Sequence, residues 1–103
     1  MGFKYISAKE LKELIVSGKI KNYILLDIRE YKEYSLNHIK GAINIEVKDF
    51  MSMDNLDVFF DRNKPIIIYC DYGASSLYAA RKMYRDGYDV MSLAGGFANY
   101  NKE

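Results

Sequence analysis

The segment that most limits how this chain can fold is the apolar run from Pro65 to Cys70, PIIIYC. It is rich in β-branched residues, which is typical of a central strand that is covered on both faces. The turn-forming sequence DYGAS follows, and residues 76–86 then carry a helical pattern that Gly87 ends. A covered strand that runs directly into a helix predicts an α/β domain with a mainly parallel sheet.

Other short elements alternate with this unit along the chain. Ser7 and Glu10 have the spacing of a capping box, in which two side chains satisfy free N–H groups at a helix start, and Gly18 ends that helix. A short polar helix and a loop are predicted over residues 30–41. Three more strands are predicted, over residues 23–26, 42–45 and 89–93, and Asp27 directly follows the first of them. This alternation predicts a three-layer α/β/α architecture with right-handed crossovers.

Two further helical segments are expected to contribute to the core. Residues 48–62 are predicted to be helical, in one piece or two, and their inward face is Phe50, Met53, Leu56, Phe59 and Phe60. The helix over residues 76–86 is predicted to turn Leu77, Ala80, Met83 and Tyr84 inward. A short terminal segment then begins at Gly95 and Gly96.

Length and charge limit the class of protein. With 103 residues, half of them apolar, the chain has room for one globular domain over residues 1–103. Its net charge of +1 predicts no general attraction to nucleic acid or to an anionic membrane. No apolar run approaches a membrane span or the core of a signal peptide, so we expect a cytoplasmic protein.

The chain has one cysteine and one histidine. These cannot form an internal disulfide or a Cys/His zinc cluster, and we expect neither a metal nor an organic cofactor. Cys70 lies at the carboxyl end of the strongest predicted strand, where open α/β sheets bind ligands. Turn N–H groups and the dipole of the next helix stabilise a thiolate at such a place. From its position alone, Cys70 is either a nucleophile or a small buried apolar residue.

Two segments of the sequence resemble the rhodanese-like family. Residues 25–45, LLDIREYKEYSLNHIKGAINI, have its strand ending in Asp-x-Arg, its short Glu-Tyr helix and its His-Ile-x-Gly-Ala-x-Asn-Ile segment. Residues 66–100 have its cysteine loop, Ala-rich helix, final strand and Gly-Gly-aromatic ending. Together these motifs cover nearly the whole chain in the family's order.

The resemblance implies a single-domain sulfurtransferase. Cys70 matches the nucleophile, which takes sulfane sulfur from thiosulfate or a persulfide and passes it to a thiol or cyanide. The resemblance implies a six-residue loop, Cys70 to Ser75, whose amides surround the sulfur. The substrate-binding residues that we expect are Asp71, Tyr72, Gly73, Ala74, Ser75 and Ser76. Because there is no second cysteine, an external acceptor must remove the sulfur. The expected partners are therefore a sulfur donor, which can be a protein persulfide, and a thiol acceptor.

Two positions depart from the family's pattern. Many members have Arg at the sixth loop position, where this chain has Ser75, which offers a hydroxyl but no charge. Asp71 places a carboxylate next to the nucleophile and works against an anionic donor. We therefore expect free thiosulfate to be a poor donor and a protein persulfide or a neutral carrier to be a better one.

Three other polar residues near the expected site are assigned structural roles. In the family, the residues that match Asp27 and Arg29 tie a strand end to the adjacent loops. His38 is the only histidine, but the resemblance implies a structural role for it too, and Asn37 replaces the glycine that usually precedes it.

The sequence argues against one alternative function and leaves a second one open. Cysteine-based phosphatases and arsenate reductases of related fold need an Arg six positions after the cysteine, and this chain has Ser76 there. Rhodanese-like domains also occur as catalytically silent interaction or regulatory modules, although the silent ones usually lack the cysteine.

Overall fold

A computed structural model of the protein describes residues 3–102. The strands are β1 (Lys4–Ile6), β2 (Ile24–Asp27), β3 (Ile43–Asn44), β4 (Ile66–Tyr69) and β5 (Val90–Leu93). The helices are α1 (Ala8–Ser17), α2 (Tyr31–Leu36), α3 (Val47–Met51), α4 (Ala74–Arg85) and α5 (Gly96–Tyr100), with 3₁₀ turns at Lys19–Asn22 and Leu56–Val58. The strands form one sheet in the order β1-β5-β4-β2-β3, and every described pair is parallel. The α/β class with a parallel sheet is therefore confirmed.

The side chains of β4 explain the three layers. All four of its residues are fully buried, and they alternate between the two faces of the sheet. Ile66 and Ile68 pack with side chains from α3 and α4, whereas Ile67 and Tyr69 pack with side chains from α1 and α5. The prediction of a strand covered on both faces is confirmed.

The start and end of α1 follow the sequence signals. The Glu10 amide donates to Ser7 Oγ at 3.0 Å, and the Ser7 amide donates to Glu10 Oε1 at 2.9 Å, which completes the capping box. Gly18 ends the helix with a positive φ of 81°. The same hydrogen bonds lower the pKa of Glu10, because they favour its charged form.

The structure corrects three details of the predicted elements. Strand β1, which pairs with β5 at the sheet edge, is absent from the prediction. The segment over residues 48–62 forms two pieces, α3 and a 3₁₀ turn, which is one of the two predicted alternatives, but Phe59 is 59% exposed instead of inward-facing. Tyr84 of α4 is also exposed, because the helix turns Ala79, Ala80 and Met83 towards the sheet.

The fold places the cysteine at the carboxyl edge of the sheet. Cys70 directly follows the central strand β4, and α4 begins four residues later at Ala74. The last residue of β2, Asp27, pairs with Tyr69 of β4, so the neighbouring strand ends at the same level. Within residues 3–102, no helix has both the length and the apolar character needed to cross a membrane.

Candidate active site

The sulfur of Cys70 is held by backbone amides at the start of α4. Sγ accepts hydrogen bonds from the amides of Gly73 and Ser76 at 3.1 and 3.3 Å. Gly73 has a φ of 110°, a conformation that L side chains rarely adopt, and this brings its N–H round to the sulfur. The positive end of the α4 dipole lies at the same place. Two N–H groups and the start of a helix are therefore directed at the sulfur.

A buried hydroxyl pair lies behind the sulfur. Ser76 Oγ is 3.5 Å from Cys70 Sγ, 3.2 Å from the Gly73 carbonyl and 3.1 Å from Ser92 Oγ. Ser76 and Ser92 are both essentially inaccessible to solvent. Ser92 lies in β5 and thus connects the cysteine loop to the neighbouring strand.

The first turn of α5 holds the loop from its other side. The Phe97 amide donates to the Cys70 carbonyl at 2.8 Å, and the Ala98 amide donates to the Asp71 carbonyl at 2.9 Å. Gly96 makes this approach possible, since a Cβ there would lie 2.5 Å from the Asp71 carbonyl oxygen. The loop carbonyls are thus occupied by α5, and the Gly73 and Ser76 amides face the sulfur.

Asp27 and Arg29 form a buried ion pair beside the loop. Arg29 Nη2 lies 2.8 Å from Asp27 Oδ2, Nε donates to both carboxylate oxygens, and the Arg29 amide donates to Oδ1 at 2.8 Å. Nη2 also donates to the Asn37 carbonyl at 2.5 Å, and the guanidinium lies 4.3 Å from the centre of the Phe97 ring. Burial opposes the charged form of Arg29, but the bonds and the charge of Asp27 raise its pKa overall.

An open pocket of about 320 Å³ gives access to the sulfur. Cys70 itself is only 6% exposed, but it lines this pocket together with the loop residues Asp71, Tyr72, Ala74 and Ser75. The rest of the described wall is Ile28, Arg29, Glu30, Glu33 and Val47. Cys70 is therefore a buried residue that borders an open pocket, and its contacts include N–H groups as well as apolar side chains.

Carboxylates predominate among the charged groups of the wall. The Asp71 carboxylate is 45% exposed and lies 3.9 Å from Arg29 Nη1. Glu33 of α2 lies on the same wall, and the neighbouring Asp71 carboxylate raises the pKa of Glu33. Arg29 opposes this shift and Glu30 adds to it. Asp71 thus has both a basic side chain, Arg29, and a second acid, Glu33, as neighbours on this wall.

The other residues singled out from the sequence occupy distinct places. Ser75 lies on the pocket wall, whereas Ser76, one residue beyond the six-residue loop, supplies an amide and a hydroxyl close to the sulfur. His38 stacks on Tyr34 with ring centres 3.9 Å apart, and its Nδ1 is 2.8 Å from the Tyr34 carbonyl. His38 is not part of the pocket wall as residues 3–102 define it.

Several residues of the site were not predicted from the sequence, and Ser92, Glu33 and Phe97 are examples. Ser92 is a lone hydroxyl in the apolar strand VMSL, and this is the one signal that marks it. Glu33 and Phe97 have no such signal, because their contacts with the loop depend on how distant segments pack. Among residues 3–102, no group of three or more His, Cys, Asp or Glu side chains is arranged to hold a metal ion.

The parallel sheet and the cysteine loop at the head of α4 define an α/β domain with a cradled thiol. A model of the family described as the rhodanese-like domain matches residues 7–103. The chain therefore belongs to the rhodanese-like domain family.

Similar proteins include both a longer enzyme and single domains. A tRNA uridine(34) hydroxylase of Streptococcus pneumoniae is 36% identical over 105 residues, which cover 96% of this chain and 30% of that protein. This chain thus spans less than a third of the length of the curated relatives that it matches. A rhodanese-like domain protein of Staphylococcus aureus has 26% identity and a TM-score of 0.83, over 98% of this chain and 94% of that one. A human single-domain sulfurtransferase has the same fold, with 24% identity, a TM-score of 0.78 and 99% of both chains covered.

Proposed function

We propose that this protein is a sulfurtransferase in which Cys70 carries sulfane sulfur as a persulfide. The observation that carries this proposal is the pair of amides, from Gly73 and Ser76, directed at the sulfur of Cys70, a residue that lines an open pocket. Such amides stabilise the thiolate that attacks and also the anionic persulfide that forms.

The first half-reaction loads the cysteine. The Cys70 thiolate attacks the outer sulfur of a donor persulfide, R–S–SH. A new S–S bond forms at Cys70, the donor's S–S bond breaks, and its electron pair leaves with the inner sulfur as R–S⁻. The outer sulfur keeps its proton until the bound persulfide ionises, and R–S⁻ takes up a proton from water.

The second half-reaction transfers the sulfur from the Cys70 persulfide to an acceptor. An acceptor thiolate attacks the outer sulfur of the Cys70 persulfide, and the electron pair of the broken bond returns to Cys70 Sγ. Cyanide takes the same sulfur to give thiocyanate. Because Cys70 is the only cysteine, the acceptor must be another molecule. A free thiol cycling in this way suits a reducing compartment, and we propose the cytoplasm.

Mass spectrometry tests the proposal. Treatment with a persulfide donor should add about 32 Da, one sulfur atom, to the peptide that contains Cys70, and cyanide or a thiol should remove it. Cys70→Ser is the matched control and should gain nothing. If the wild type gains no removable sulfur from any donor, the protein is a silent rhodanese-like module instead.

The donor is the second part of the proposal. Asp71 next to the nucleophile and Ser75 at the sixth loop position argue against free thiosulfate as an efficient donor. Asp71→Asn should therefore raise kcat/KM for thiosulfate while changing that for a neutral persulfide little. An unchanged thiosulfate efficiency in Asp71→Asn would remove Asp71 from this explanation.

The curated relatives favour a second candidate, a part in the hydroxylation of uridine 34 in tRNA. It rests on the 36% identity to a tRNA uridine(34) hydroxylase, whose sequence this chain covers to 30%. Measurement of hydroxylated uridine 34 in tRNA from cells without this protein tests it. Loss of the hydroxyl group, restored by wild type and not by Cys70→Ser, would favour this candidate.

A further inference from the structure

We propose that Glu33 is a specificity-determining residue of the Cys70 pocket and that, with Asp71, it selects sulfur carriers that have a positive group beside the persulfide. This inference rests on the proposed sulfur transfer and names the chemical class of its substrate. The recognised group is an ammonium or guanidinium within a few atoms of the reacting sulfur.

The charges on the pocket wall carry the first step. Among the wall residues within 3–102, Arg29 is the one basic side chain, and Glu30, Glu33 and Asp71 are acidic. Arg29 Nη2 lies 2.8 Å from the fully buried Asp27 carboxylate, and Nη1 lies 3.9 Å from Asp71. One guanidinium thus stands against four carboxylates, those of Asp27, Glu30, Glu33 and Asp71, so the net charge around the pocket is negative.

The second step is the position of Glu33 relative to Asp71. Glu33 is exposed on α2, and the Asp71 carboxylate reaches the same wall from the cysteine loop. A side-chain hydrogen bond with Asp71 and the charge of that carboxylate raise the pKa of Glu33; burial and Glu30 act in the same direction, and Arg29 opposes the shift. A cation placed beside these two acids favours the charged form of both.

An aromatic ring at the same rim supports a cationic ligand independently. Tyr72 lines the pocket, and its side chain is 79% exposed. The face of an aromatic ring attracts ammonium and guanidinium groups. A ring and two carboxylates beside one reactive sulfur match an amine-bearing persulfide better than a sulfonate or carboxylate.

Several amides around the cysteine loop are already committed. The Gly73 and Ser76 amides donate to Sγ, and the Phe97 and Ala98 amides donate to loop carbonyls. Beyond the sulfur, a donor meets the side chains of the pocket wall, which include Glu30, Glu33 and Asp71.

Alkylthiolation of Cys70 measures this selection without sulfur transfer. Three methanethiosulfonates with two-carbon substituents, aminoethyl, hydroxyethyl and sulfonatoethyl, react with the only thiol of the protein. The rate constant of each reagent with Cys70 is divided by its rate constant with a small free thiol. This normalised rate should be highest for the cationic reagent, lower for the neutral one and lowest for the anionic one. Glu33→Gln should lower the cation-to-anion ratio about threefold to tenfold, and added salt should lower the wild-type ratio.

Glu13→Gln is the matched control, since it removes the same charge from the exposed side of α1, the helix that packs on the opposite face of the sheet from Cys70. It should leave the ratio unchanged. A wild-type ratio near one, or a ratio that Glu33→Gln does not change, overturns the proposed selection.

Sulfur-transfer assays with aminoethyl and carboxyethyl persulfides complete the test. Faster loading of Cys70 by the amine supports the selection, and equal loading by both overturns it while leaving the proposed function intact. No loading by either donor removes the proposed function itself. Peptides with a persulfidated cysteine flanked by lysines or by glutamates distinguish the source. A lysine-flanked peptide that surpasses aminoethyl persulfide indicates a protein carrier, and the reverse order indicates a small one.

Discussion

The backbone amide of Phe97 donates a hydrogen bond of 2.8 Å to the carbonyl oxygen of Cys70. Cys70 is thus held by two helices, because its side chain accepts hydrogen bonds from the start of α4 and its carbonyl oxygen accepts one from α5. The orientation of the sulfur depends on main-chain contacts from segments that lie far apart in sequence.

Gly96→Ala should disrupt this arrangement. A Cβ at position 96 would lie 2.5 Å from the Asp71 carbonyl oxygen and 2.7 Å from that of Cys70. We expect a loss of at least about 2 kcal/mol in the free energy of unfolding beyond the cost of the positive φ, and slower alkylation of Cys70 by iodoacetamide. Gly41→Ala is the control, because its φ is also positive but nothing lies within 4 Å of its Cβ. If the two variants behave alike in urea unfolding, the close approach has no energetic role.

Neutralising Asp27 should cost far more stability than neutralising Asp71. Both carboxylates face the Arg29 guanidinium, Asp27 at 2.8 Å and fully buried, Asp71 at 3.9 Å and 45% exposed. Asp27→Asn leaves a buried charge without its partner, at a cost of about 3–5 kcal/mol. Asp71→Asn breaks a solvent-screened pair, at a cost below about 1 kcal/mol. Urea unfolding at neutral pH compares them, and similar losses would contradict a structural role for the inner pair.

Substitutions of Ser76 and Ser92, the hydroxyl pair behind the sulfur, should have similar effects on stability but different effects on the alkylation rate of Cys70. Ser76→Ala and Ser92→Ala each leave one buried hydroxyl without its partner at 3.1 Å, so each should cost about 1–3 kcal/mol. Ser76→Ala alone removes the hydroxyl that lies 3.5 Å from Cys70 Sγ, and it should slow iodoacetamide alkylation more than Ser92→Ala does. Equal alkylation rates in the two variants would show that the Ser76 hydroxyl does not act on the sulfur.

Stability should fall at alkaline pH through Tyr88. Burial, together with the hydrogen bond that its hydroxyl donates to Asp57, raises the pKa of Tyr88 from 10.0 to about 12. Below pH 10 the neutral tyrosine stabilises the fold fully, and between pH 10 and about 12 only the unfolded state loses its proton, so stability decreases. Tyr69 acts in the same direction, since burial and then Asp27 raise its pKa.

Urea unfolding at pH 8, 10 and 11 measures this effect. Tyr88→Phe should be less stable than wild type at pH 8 and should show a shallower decline above pH 10. Tyr78→Phe, at an exposed position on α4, should follow wild type throughout. A decline in Tyr88→Phe as steep as that in wild type would assign the alkaline loss to other groups.

The sequence predicts those parts of the fold that depend on contacts between residues close together in the chain. The Ser7–Glu10 capping box and the β-branched run of β4 depend on neighbours in the chain, and both are confirmed. Strand β1 was missed because an edge strand of three residues, with only Ile6 buried, has no recognisable pattern. The helical periodicity predicts an inward Phe59, but the helix is interrupted after α3, so the periodicity does not extend to this residue.

The site shows the same division. Cys70 and its loop stand out because a strand, a turn and a helix follow one another directly. Glu33 could not be found in this way, since its place on the pocket wall depends on how α2 packs beside the loop. Ser92 reaches the site only because β5 pairs with β4.

The cysteine loop is held by main-chain contacts, so its outward side chains are not needed to keep its conformation. Tyr72 and Ala74 are exposed, and Ser75 lies on the pocket wall. Substitutions at these three positions can therefore reshape the pocket wall while the main-chain contacts that hold Cys70 stay the same. Libraries varied only at positions 72, 74 and 75 are a practical route to changing which molecules this pocket admits.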